Sequence, residues 1–172
     1  MPQRTTFTAD GRLVVAEAVM PLLTHLAVGT FAWGHADPDP TAMALGHEIA
    51  RVRYIERLFV VEDPDGTLAV AGAKYSPSDD PTRLVYLRFR FIDAEAQGQW
   101  SEMGVFAGPV TYQPGTSRPE YAANGVYDAT LNPTGQVLNP GRLFRLTHLD
   151  PTETKPATTL DVQLIVEVIR AN

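Results

Sequence analysis

Alternation of apolar and polar positions with period two is the strongest signal along the chain. In RLVYLRFRFID, Val85, Leu87, Phe89 and Phe91 alternate with Tyr86, Arg88 and Arg90, which predicts a strand with one face on a core and the other on solvent. TLDVQLIVEVIR repeats the pattern near the C-terminus, with Leu160, Val162, Leu164, Val166 and Val168 opposed to Asp161, Gln163 and Glu167. One outer face is basic and the other acidic, so the two strands are expected to be neighbours, with Arg88 and Glu167 as an obvious test pair. RVRYIERLFVV places Val52, Tyr54, Leu58 and Val60 on one face and Arg51, Arg53 and Arg57 on the other. The Pro64-Asp65-Gly66 sequence that follows marks a turn into the next strand.

Ahead of these strands the period changes. DGRLVVAEAVMPLLTHL has Asp10 as an N-cap, good helix formers and Pro21 as a break, which predicts a helix over 11–20, apolar on most sides and therefore covered. HLAVGTF is a short apolar strand candidate. HADPDPTAM carries two Asp-Pro pairs, and proline disfavours the α region in the residue before it, so this is an extended loop. Asp39 followed by Pro40 reads as the cap of a short helix ending near Gly46.

Between Ala107 and Gly141, Pro and Gly recur every few residues; a loop this long inside a compact domain is usually functional or an interaction arm. The expected fold is therefore mainly β with one or two short helices. It is a single antiparallel β-sandwich-like domain over 1–172, with a helical region at 10–24 and a β core at 25–106 and 142–172. The segment 107–141 is its long Pro/Gly-rich loop or assembly arm.

Composition narrows the function classes. A chain of 172 residues, 44% hydrophobic, supports one domain with a sizeable core. A net charge of -6 lacks the basic footprint that neutralises phosphates, so no nucleic-acid partner is expected. The absence of cysteine excludes disulfides, thiolate metal sites and cysteine nucleophiles. Neither a secretory h-region nor an apolar run of about 20 residues is visible, so the expectation is a chain made in the cytoplasm and not inserted in a membrane.

Candidate chemistry concentrates in two places. His35, Asp37, Asp39 and His47 are potential metal ligands, but GHEIAR has Arg51 where the second histidine of a His-Glu-x-x-His site would stand, and no calcium-loop spacing occurs. Neither a metal nor a cofactor is expected. Serine-nucleophile elbows and phosphate- or dinucleotide-binding glycine loops are missing as well. Glu48 and Glu102, in LGHEIA and WSEMGVF, are the best candidates for a carboxylate pair; without a recognisable cleft they read as structural acids, and no enzyme is expected. Trp33 and Trp100 could instead stack on sugar rings, which makes a carbohydrate- or ligand-binding module the alternative, although core packing is the plainer use of such residues. Tyr112, Tyr121 and Tyr127, set among Pro and Gly, are candidates for a protein interface.

Taken in order, GRLVVAEAV, HLAVGTF, DPTAMALGHEIARV, WSEMGVF and LTHLDPTETKPATTLDVQLIVEV resemble the head-proximal domain of bacteriophage tail-fibre and baseplate-associated structural proteins. The matching positions are Val28, Gly29 and Thr30 in a Gly-Thr turn and Thr41, Leu45, Glu48 and Arg51 in a clasp. Glu102, Gly104 and Phe106 match an inner strand, and Lys155 precedes the last strand. The loop FAWGHADPDP and the long stretch after the Glu-x-Gly strand depart from the family pattern.

The resemblance implies a structural role in a phage tail tip or baseplate, or in a tail-like injection particle. Other tail or baseplate proteins and neighbouring copies of the chain would be its partners, and the virion its location. No fibrous shaft or receptor-binding tip follows the last strand, so an adaptor is expected rather than a complete fibre. On this reading Glu48 and Arg51 tie the loop together, and Glu102 accepts hydrogen bonds where Gly104 lets the strand approach it.

Overall fold

A computed structural model describes residues 9–30, 36–92, 96–112 and 137–168. Helix α1 (Ala9–Val19) leads through a 3-10 turn, Met20–Leu22, into strand β1 (Leu23–Gly29). Pro21 sits in that turn, where its missing N–H ends the α-helix without preventing the tighter winding. The strands that follow are β2 (Glu48–Glu62), β3 (Leu68–Val70), β4 (Ala73–Ser78), β5 (Leu84–Phe91), β6 (Gly98–Ala107), β7 (Thr111–Tyr112), β8 (Val137–Asn139), β9 (Arg142–Lys155) and β10 (Leu160–Glu167). The chain is mainly β and antiparallel, as its alternation predicted. One hydrogen-bonded sheet runs β10-β5-β2-β1-β6-β9, with β4 pairing β2 and β3, while β7 and β8 form a ladder of their own. No helix among the described residues is long and apolar enough to cross a membrane.

Two expectations for the first half of the chain are corrected. The helix is not covered on most sides: Ala16 is its buried residue, whereas Val14 is 64% exposed. Contact through an alanine needs only a narrow stripe, so the larger apolar side chains around it stay in solvent. The short helix after Asp39 does not form. The Asp39 Oδ1 accepts from the Thr41 N–H and hydroxyl at 2.8 and 2.7 Å, and the Ala42 N–H reaches the Asp39 carbonyl, giving one turn that goes no further. Leu45 and His47 are drawn instead to the sheet, and a helix this short cannot offset its costly nucleation against that pull.

The described residues form two compact units. One takes the chain up to Pro21, Glu56–Leu87 and the stretch from Gln163. Its core is apolar: Val60, Val70, Leu84 and Tyr86, flanked by Leu58, Leu68, Tyr75 and Ile165. Tyr86, expected on the solvent face of its strand, is buried instead because this cluster covers that face. The β3–β4 hairpin closes through Ala71 and Gly72, both with positive φ, which matches the strand twist in a two-residue turn. The expected Pro-Asp-Gly turn is present and held by Asp63, whose carboxylate accepts from the Ser76 hydroxyl and the Asp65 N–H. These bonds, that of Ser76 first, keep the Asp63 carboxyl below its ordinary range. On the outer side Arg83 lies 3.5 Å from Glu167.

The other unit comprises Leu22–Ile55 and Arg88–Val162. Here β1 is flanked by β2 and β6, and Leu26, Ala27 and Val28 are fully buried on both its faces. Arg90 grips Asp161 with two bonds of 2.7 and 2.8 Å, and Arg88 approaches the same carboxylate at 4.0 Å. The predicted neighbourhood of the basic and acidic strands is therefore found, with a corrected pairing. Because β5 and β10 run in opposite directions, Asp161 at the start of β10 meets the end of β5, and Glu167 meets Arg83 rather than Arg88.

Candidate functional site

The register of three adjacent strands assembles the residues that the sequence singled out. Across β2, β1, β6 and β9, Glu48 stands level with Gly29, Glu102 and His148; the next row holds Arg51, Ala27, Gly104 and Leu146. A third row holds Arg53, His25, Phe106 and Leu143. On a regular strand Glu48 and Arg51, three residues apart, would point to opposite faces. A bulge repairs this: Val28 pairs with Ala50 and Gly29 with Glu48, so Ile49 is an extra residue that rephases the pleat and brings both side chains to one face. The clasp therefore exists on a bulged strand.

Arg51 is its centre. Nε and Nη2 donate to the two oxygens of Glu48 at 2.8 and 2.7 Å, and Nη1 donates to the Pro140 carbonyl at 2.6 Å. The guanidinium lies 3.9 Å over the Phe106 ring centroid and only 1% of the side chain is exposed. Alternation put Arg51 on one face with Arg53 and Arg57, without saying what covers that face. The face was assigned correctly, but the loop before β2 and the segment at Pro140 cover it at Arg51, while Arg53 stays exposed.

The loop is stitched to the sheet by its backbone. The Thr30 N–H donates to the His47 carbonyl at 2.9 Å, and the His47 N–H donates to the buried Glu102 Oε1 at 3.1 Å. At its other end the Ala36 carbonyl pairs with the His148 ring at 2.8 Å. The close approach is made at Gly29: a Cβ there would lie 2.5 Å from the His47 carbonyl oxygen and 2.9 Å from Glu102 Oε1. Gly104 serves differently from what was expected. A Cβ on it would strike the side chains of Leu45 and Leu143 at 2.7 Å, so its bareness seats Leu45 on the sheet beside Ala27 and Phe106.

Lys155 stands apart from this cluster. It pairs with Gly98 at the far end of β6, and its buried ammonium donates to the carbonyls of Pro156 and Thr158, both at 3.1 Å, closing the turn into β10. Tyr121, Tyr127, Trp33 and His35 lie outside the described residues, and of Tyr112 only the backbone is described, in the β7–β8 ladder. Trp100 is buried against Phe91, 5.0 Å between ring centroids, and its Nε1 donates to the Ala96 carbonyl, so it offers no platform for a sugar.

Two participants were not foreseen. The Pro140 carbonyl acts on Arg51 from 89 positions away, and nothing in a proline's sequence context signals a backbone acceptor. His25 is buried beside Arg51 and Arg53; burial, then those two charges, pushes its imidazole down to about 3. The Thr24 hydroxyl donates to the Gly108 carbonyl at 3.0 Å and so accepts from His25 at 2.9 Å, which assigns the imidazole proton to Nδ1.

A cavity of about 250 Å³ opens beside the clasp, lined by Ala44, Leu45, Gly46, His47, Glu48, Arg51, Phe106 and Pro140. Glu48 borders it and Glu102 does not, so the two carboxylates do not share this cleft. Among the described residues no group of three or more His, Asp or Glu side chains is placed to hold a metal ion. Comparison of the sequence with protein-family models and with curated proteins finds no match.

Proposed function

We propose that this chain is a non-enzymatic structural component of a phage tail tip or baseplate, or of a related tail-like injection particle. It would act there as an adaptor between neighbouring tail proteins or fibres. One observation carries the reading: the motif residues behind the resemblance, scattered from Gly29 to Phe106, converge on one face of three adjacent strands. Their charged groups are occupied with one another and with the backbone, a chemistry that locks a loop onto a sheet. A joint that transmits load between subunits needs such a rigid platform. Copies arranged around a tail axis would favour cyclic symmetry, so weak contacts repeated many times suffice for a firm assembly.

Gold-labelled antibody imaging of purified particles by electron microscopy tests this. Label confined to one end of the tail is the expected result. Particles consistently free of label would remove the proposal.

A further inference from the structure

We propose that the cavity beside Arg51 binds one uncharged primary amide, an Asn or Gln side chain presented by a peptide segment of a neighbouring protein. A guanidinium carries five N–H donors. Three of those on Arg51 have acceptors among the described residues: Nε and one N–H of Nη2 on Glu48, and one N–H of Nη1 on the Pro140 carbonyl. One N–H on each terminal nitrogen remains, on a side chain 1% exposed that lines the cavity. Donors desolvated in this way gain most from an acceptor brought into the cavity.

Charge selects the acceptor. Glu48 neutralises Arg51 at 2.7 Å, and each of its oxygens, having accepted one bond, keeps a lone pair for another donor. The cavity thus offers donors and acceptors side by side without net charge, the complement of a group with one C=O and one NH2. A carboxylate would meet Glu48, and an ammonium would meet Arg51. Leu45, Ala44, Phe106 and Pro140 supply apolar walls for the methylenes of the incoming side chain.

Size selects the carrier. About 250 Å³ is below the roughly 300–1,000 Å³ of pockets that enclose whole small molecules, so the site takes one side chain and leaves the rest of its bearer outside. Ala44, Gly46 and His47 are exposed at the rim, where a peptide backbone could lie.

Titration of the whole 15N-labelled chain by NMR tests this, following the Arg51 Nε–H and the Gly46 and His47 amides. N-acetyl-glutamine N-methylamide is expected to shift these signals saturably, and N-acetyl-glutamate N-methylamide to bind at least about tenfold more weakly. Ala44→Phe, a change at an exposed rim position, is expected to abolish the shifts while leaving the remaining spectrum in place. Equal or tighter binding of the glutamate probe would overturn the proposal in favour of an anion site. The absence of any saturable shift, or shifts that persist in Ala44→Phe, would overturn it outright. The titration uses the isolated chain, so its failure leaves the tail assignment standing, and unlabelled tails would leave this site standing.

Discussion

The cores around Val60 and around Arg51 are built on the same kind of antiparallel strand but by opposite means. Near Val60, the cluster of Val60, Val70, Leu84 and Tyr86 excludes water with apolar side chains, and the charges of Arg83, Glu62 and Glu167 are left at the surface. Near Arg51, an ion pair, a cation over an aromatic ring and a buried Glu102 occupy the equivalent space. Apolar contacts are non-directional and degrade gradually when one is trimmed. Buried polar contacts are mutually dependent, and removing one partner strands the other in a poorly solvated place. The apolar cluster is therefore expected to tolerate substitution of similar shape, and the clasp to tolerate almost none.

Arg51→Ala should test this contrast most severely. It leaves the Glu48 carboxylate and the Pro140 carbonyl without their donor and enlarges a cavity, at a cost of about 3–5 kcal/mol by urea denaturation. Replacing Glu48 and Arg51 together with Met should recover much of that loss; a double variant no more stable than the single one would show that the pair is not a mutually dependent unit.

Acid should act on the same region. The folded-state pKa of His25 lies at about 3, below its ordinary 6.5, so between these values the unfolded chain binds more protons. Stability is then fully present above about pH 6.5 and is lost as pH falls toward 3, by several kcal/mol at full extent. His25→Gln should flatten this part of the stability-against-pH curve. An unchanged slope would show that other groups govern acid sensitivity.

In the apolar cluster, Leu84→Ala should cost about 2–4 kcal/mol, but Leu84→Met less than about 1.5 kcal/mol. If Arg51→Lys proved as mild as Leu84→Met, the distinction between the two cores would collapse, since lysine cannot make the paired bonds to Glu48. Glu102→Gln preserves an oxygen for the His47 N–H but brings an NH2 into a buried site, and is expected to cost about 1–2 kcal/mol. The smallest effect should be a gain: Ala71→Gly, at a residue with φ of 49°, relieves a left-handed conformation and should raise stability by about 0.5–1 kcal/mol in urea denaturation. A loss there would mean that the turn carries no strain.

Strands were legible wherever a regular pleat continued without interruption. Val85, Leu87, Phe89 and Phe91 are all fully buried, as their alternation required, although Tyr86 on the opposite face is buried too, and the opposite charges of β5 and β10 announced that the strands are neighbours. Which charges meet was not legible, because pairing depends on register, and the likeness of Asp161 and Glu167 hides their positions along the strand. Alternation also left the burial of Arg51 undecided. Period two assigns a residue to a face but says nothing of what covers that face, and here the cover comes from the loop before β2 and from Pro140, far along the chain. Motif resemblance named Gly29, Glu48, Arg51, Glu102, Gly104 and Phe106 but did not place Glu48 and Arg51 on a bulged strand.

By itself the amino-acid order determined the strand-rich class and the Pro-Asp-Gly turn, because these follow from local sterics and from the period of apolar positions. The tertiary structure alone decided that Gly29 must admit the His47 carbonyl, that Gly104 must seat Leu45, and that the bulge at Ile49 must align Glu48 with Arg51. Each of these is a contact between strands or loops distant in sequence. Such contacts exist only once register is set, and register is a property of the assembled sheet rather than of any one segment.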